Sequence, residues 1–71
     1  MQLAYTMTSH AMERMMKRRI DPLDAIKALS HSPHYRPDGT VHYFDPQTRV
    51  KVIVNPVSRV VITVYKAVKE K

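Results

Sequence analysis

His10, Arg14 and Lys17 are separated by four and three residues, spacings that place side chains on one surface of a helix. Their types suit proton transfer at a phosphodiester. A histidine titrates near neutrality and can give or take a proton, and a guanidinium grips a phosphate through two parallel hydrogen bonds. RNA carries its own nucleophile, the 2′-hydroxyl, so the protein needs an acid, a base and cations to stabilise a pentavalent phosphorane. His10 also falls in the first turn of the expected helix, where amide N–H groups favour an anion. The same three residues would equally suit an ordinary solvated basic face. Thr63 and Tyr65 lie two apart in the last β-rich run and share one face of a strand. Either hydroxyl can donate to a phosphate oxygen, and the tyrosine ring can stack on a base. Both residue types are also favoured in strands for their shape alone.

Other chemistries are excluded by composition. Cysteine is absent, which removes thiol nucleophiles, disulfides and thiolate metal sites. There is no G-x-x-x-x-G-K-[ST] loop, and a single glycine cannot build a dinucleotide fingerprint. The six acidic residues are scattered, with no H-E-x-x-H or paired-carboxylate pattern. His31, His34 and His42 are possible zinc ligands by type, but their spacing is not diagnostic, and the expectation is no metal and no cofactor. Twelve Lys and Arg against six Asp and Glu give a net charge of +6, which attracts phosphate backbones or an acidic partner. Lys17 and Arg18 on the helix, with Lys51 and Lys66 on strands, are the expected RNA-binding cations.

No apolar run approaches the ~20 residues that span a bilayer. The opening MQLAYTMTSH has no basic start and no apolar h-region, so it does not read as a secretory signal. Lack of cysteine fits a reducing compartment. A cytoplasmic protein without membrane association is expected. A chain of 71 residues makes one domain, 1–71, with so small a core that a partner chain or an oligomer is one way to complete it.

These residues must be positioned by a helical half followed by a strand half. Residues 9–19 predict a helix capped by Thr8 or Ser9, with Met12, Met15 and Met16 in the core. His10, Arg14 and Lys17 then face outward, with Arg18 on the flank. Residues 22–30 predict a second helix: Asp21 is a good N-cap, Pro22 suits the first position, and Ile20 can pack on Ala25. Its apolar arc is Leu23, Ile26 and Leu29. Residues 31–39 read as a loop ending in a Pro37-Asp38-Gly39 turn. Strands are expected at 40–45, 49–54 and 59–66, with a short extra one at Tyr35 or near residues 2–5. Val60, Ile62 and Val64 should share one face of the last strand; Val61, Thr63 and Tyr65 the other. No internal repeat is evident. The fold class is α+β: two N-terminal helices packed on one face of a three- to four-stranded antiparallel sheet. The open face would carry Lys51, Thr63 and Tyr65. Whether His42 joins them depends on strand register.

Residues 8–20, TSHAMERMMKRRI, resemble a small bacterial domain family of unknown function with an H-A-x-x-R-M-x-x-R helix. That family has a second helix with an acidic or Ser start and closes on a V-I-T-V-Y-type strand, here Val61-Ile62-Thr63-Val64-Tyr65. The likeness runs along nearly the whole chain. It departs at Arg19, where the family often has glycine. The family is itself similar to the barnase-, EndoU-, colicin- and RelE-like ribonuclease toxins, in which helices precede an antiparallel sheet whose open face cleaves RNA without metal. The resemblance implies catalytic roles for His10, Arg14, Thr63 and Tyr65, and an antitoxin or immunity protein as a partner. The leading expectation is a metal-independent, toxin-type endoribonuclease cleaving RNA through 2′-hydroxyl attack. A non-catalytic RNA-binding or ribosome-associated module, or an inactive toxin-like protein-interaction domain, are the alternatives.

Overall fold

The computed structural model describes residues 5–67. In chain order the elements are β1 (Thr6–Met7), α1 (Ser9–Lys17), α2 (Pro22–Ala28), β2 (His34–Tyr35), β3 (Val41–Phe44), β4 (Val50–Asn55) and β5 (Val60–Lys66). The strands form one sheet in the order β1-β5-β4-β3-β2. β2 to β5 are an antiparallel meander, and β1 runs parallel to β5. The fold is therefore α+β as expected, but with five strands and one parallel pair rather than three or four all antiparallel. The short extra strand expected at Tyr35 is present as β2; β1, with two residues, has no period to read. Of the extra strand near residues 2–5, residues 2–4 lie outside the described residues, and pairing begins just after, at Thr6. Residues 68–71 of the tail also lie outside them; Ala67 N–H donates to the Arg49 carbonyl at 2.8 Å.

Local chemistry accounts for the helix ends. The Thr8 hydroxyl accepts from Ala11 N–H at 3.0 Å and donates to the Val61 carbonyl at 2.9 Å, so one side chain caps α1 and fastens it to β5. Beyond Lys17, Arg19 N–H bonds Met16 and Ile20 N–H bonds Met15, a paired closure with a left-handed residue, Arg19 at φ 56°. Ile20 and Met15 are both buried, as this closure favours. Asp21 caps α2 through Leu23 N–H, with Pro22 following it.

α1 and α2 cover one sheet face. Val41, Tyr43, Val50, Val52, Val54, Val61 and Val64 meet Ala11, Met15, Ile20, Ala25 and Ala28 there. The methionine expectation is corrected: Met15 is buried, but Met12 is 50% and Met16 79% exposed. The face that seats α1 runs through Ala11 and Met15, four apart, and alanine there lets the helix approach the valine layer closely. α2 seats through Ala25 and Ala28 in the same way, leaving Leu23 exposed and Ile26 and Leu29 only partly buried.

The alternation expected in β5 is also corrected. Val54 pairs with Val61, but Ile53 pairs with Thr63, so Ile62 is an extra residue in a β-bulge. Val61 and Val64 consequently both face the core, while Ile62 is partly exposed.

The loops β3–β4 and β4–β5 are copies of one design: Asp45-Pro46-Gln47-Thr48-Arg49-Val50 and Asn55-Pro56-Val57-Ser58-Arg59-Val60. In each, the first carboxylate or amide oxygen accepts from the N–H two residues on, at 2.9 Å. In each, the arginine is left-handed, at φ 65° and 58°, and its N–H returns to the first residue's carbonyl. The two turns therefore share one hydrogen-bonding and backbone pattern.

Candidate functional site

Strand register settles which side chains share the uncovered face, since directly paired residues point the same way. One cross-strand row runs His34, His42, Ile53, Thr63; the next runs Phe44, Lys51, Tyr65. His42 therefore lies in the Thr63 row, two strands away, or about 10 Å at the usual strand spacing. Thr63, Tyr65 and Lys51 occupy the open face as expected. Lys66 does not join them: it pairs with buried Val50 and so points to the helix-covered side, at its exposed end.

The α1 residues form a separate group. His10 and Lys17 are exposed and Arg14 half-buried. Arg14 Nε donates to His10 Nε2 at 3.2 Å. A guanidinium only donates, so His10 Nε2 is the acceptor in this bond. Four residues on, Arg18 reaches the sheet edge. Its Nη1 donates to the Val64 carbonyl at 2.9 Å and lies 3.5 Å from the Thr63 hydroxyl. β1 pairs only with Val60 and Val61, so Arg18 serves the part of β5 that β1 leaves open. Among the described residues no hydrogen bond joins His10 or Arg14 to Thr63 or Tyr65. The expected quartet is thus split between helix and sheet, with Arg18 as the link.

A pocket of about 390 Å³ opens at the β2–β3–β4 end of the uncovered face, lined by His34, Arg36, His42, Phe44, Lys51 and Ala67. No carboxylate is among its lining residues. His42 Nδ1 is shut off from solvent and has no hydrogen-bond partner among the described residues. Partial burial, then the positive charges of Lys51 and Arg36, hold the His42 pKa below the ordinary 6.5, against an opposing pull from Asp38. Asp38 is itself held below 3.8, chiefly by hydrogen bonds from the Thr40 hydroxyl and Thr40 N–H. On the covered side, burial and the Tyr5 hydroxyl at 3.1 Å push the Tyr43 phenol up to about 12, which suits it to the core and not to proton transfer.

Arg36 and Phe44 were not among the residues singled out from the sequence, and His34 was considered there only as a possible zinc ligand. The signal for Phe44 was available: in Val41-His42-Tyr43-Phe44 the alternation puts His42 and Phe44 on one face. His34 and Arg36 were hidden between Pro33 and Pro37 in what reads as loop. Among the three histidines considered for zinc, His34 pairs with His42 across β2–β3, while His31 lies 3.4 Å from Asp45. No cluster of three or more His, Asp or Glu side chains suited to a metal occurs among the described residues. No described helix is long and apolar enough to cross a membrane.

No family model, curated protein or solved structure compared with the chain matches it.

Proposed function

We propose that this chain binds RNA on the uncovered face of its sheet and cleaves it without a metal, as a toxin-type endoribonuclease acting through the 2′-hydroxyl. The observation that carries this reading is the pair of cross-strand rows on that face. They bring two histidines, a lysine, a threonine, a tyrosine and a phenylalanine together. Cations and hydroxyls can track a phosphodiester backbone, and aromatic rings can receive its bases. Arg14, Lys17 and Arg18 extend the positive field along α1. His10 is the helix-borne candidate for proton transfer, and Thr63 and Tyr65 position the phosphate. An antitoxin or immunity protein is the expected second partner of such an enzyme.

Binding without cleavage is the second reading. It is favoured by the Arg14–His10 hydrogen bond, which occupies one ring nitrogen and leaves His10 unlinked to the strand hydroxyls. Incubation with total RNA in EDTA separates the two. Fragments ending in 2′,3′-cyclic phosphate support the enzyme, retention of intact RNA supports the binding module, and the absence of both removes RNA as the ligand.

A further inference from the structure

Of the residues from which RNA binding was expected in the sequence, only Lys51 lines the pocket at the β2–β3–β4 end. It has the volume of a small-ligand site, in the range of about 300–1,000 Å³. Its polar lining is cationic or neutral, from Arg36, Lys51, His34 and His42, and its apolar lining is dominated by one aromatic ring, Phe44. A planar guanidinium presents a fork that matches two phosphate oxygens, and a lysine adds a mobile point charge. His42 contributes a neutral donor. With Nδ1 buried and without a hydrogen-bond partner among the described residues, the ring proton is better placed on Nε2, at the edge of the ring not shut away. His34 stands directly across from it. Phe44 sits beside this cationic cluster, in the row that Lys51 shares. A flat ring next to a phosphate cradle is the arrangement that holds a base and its phosphate together.

We propose that this pocket binds a single ribonucleotide unit, with its phosphate held by Arg36, Lys51 and the His34–His42 pair and its base stacked on Phe44. The proposal rests on the RNA reading for its biological ligand, but the pocket can be tested with free nucleotide.

The experiment follows the imidazole C–H resonances of the four histidines while adenosine 3′-monophosphate, adenosine or inorganic phosphate is added to the whole chain. The nucleotide is expected to move His34 and His42 and leave His10 and His31 in place. Inorganic phosphate should move the same two histidines at least about five-fold more weakly, the lower end of what one stacked base contributes. Adenosine alone should move neither. A bound phosphate faces His42 alongside Lys51, Arg36, Asp38 and His34, the groups already acting on it. Its negative charge should shift the His42 titration midpoint upward. Arg36→Gln and Lys51→Gln should each weaken nucleotide binding about ten-fold or more, as loss of a charge-assisted hydrogen bond does. Phe44→Leu should abolish the advantage of nucleotide over inorganic phosphate. Thermal melts of each variant report whether it is folded.

Equal affinity for nucleotide and inorganic phosphate would overturn the base-stacking half of the proposal. Movement of His10 instead of His34 and His42, or of no histidine at millimolar nucleotide, overturns it entirely. A parallel titration with single-stranded RNA separates the two ideas. RNA binding insensitive to Arg36→Gln and Lys51→Gln rejects the pocket and keeps the RNA reading. Nucleotide binding without RNA binding keeps the pocket and rejects the RNA reading.

Discussion

Three arginines, Arg19, Arg49 and Arg59, hold left-handed backbone with φ between 56° and 65°. Only glycine adopts this region without strain, and other residues give up roughly 1–2 kcal/mol there. The family that the sequence resembles often has glycine where this chain has Arg19, and the left-handed closure of α1 favours glycine there. Arg19→Gly should raise stability by about 0.5–1 kcal/mol, the relief being partly offset by glycine's freedom in the unfolded chain. Urea denaturation measures it, and a loss of stability would mean that the Arg19 side chain has a structural role. Met15→Asp should unfold the domain, because it places a charge in the valine core. Met16→Asp, at an exposed site, should change stability by no more than about 0.5 kcal/mol. Circular dichroism of the pair tests which methionine faces inward. Titration adds a third expectation. The unfolded chain protonates His42 near pH 6.5, whereas the folded chain resists until lower pH. Stability is therefore full above 6.5 and falls as the pH drops below it. Asp45 and Asp38 have depressed pKa values, so their contribution is lost only as the pH falls below about 3.8 toward the folded values. Thermal melts of His42→Gln should lack part of the first decline and retain the second.

At the level of elements, Thr8 has two duties, and Thr8→Ala should cost about 1–2 kcal/mol, the upper part of the range for a cap, since the bond to β5 goes with it. A smaller loss, within about 0.5 kcal/mol, would mean that the Val61 carbonyl finds water as easily. Capping was legible in the sequence at Thr8 and at Asp21-Pro22, because it depends on residues adjacent in the chain. The three longer strands were legible for a similar reason: valine alternation and proline-marked turns. The helix faces were not. Apolar methionines at three positions outweigh a small alanine in any periodicity argument, yet Ala11 marks the contact face because a small side chain permits close approach. The Ile62 bulge left no trace either, since every residue from Val60 to Tyr65 is at home in a strand. The bulge matters to the site: it lets Val61 and Val64 both face the core while Thr63 and Tyr65 stay on the open face. Thr63 and Tyr65 could thus be read from the sequence, whereas the neighbours that complete their rows needed the register.

For the molecule as a whole, a charge of +6 on 71 residues makes association with RNA depend on salt. Log affinity should fall against log salt with a slope of about −0.7 for each phosphate contacted on a single strand. Arg14→Glu should weaken binding and flatten that slope; a salt-independent interaction would exclude the electrostatic reading. Arg18→Glu would be a poor companion test, for Arg18 is committed to the Val64 carbonyl. That commitment has a further consequence. β1 shields only the first part of β5, and an unshielded strand edge invites pairing with another molecule. Holding a carbonyl of that edge would make Arg18 a guard against strand pairing between molecules. Arg18→Ala should leave the folded monomer intact when dilute and form dimers or larger strand-paired species as concentration rises, while Arg14→Ala stays monodisperse in sedimentation. The arginine that links the helix to Thr63 would then also set how the chain behaves at high concentration.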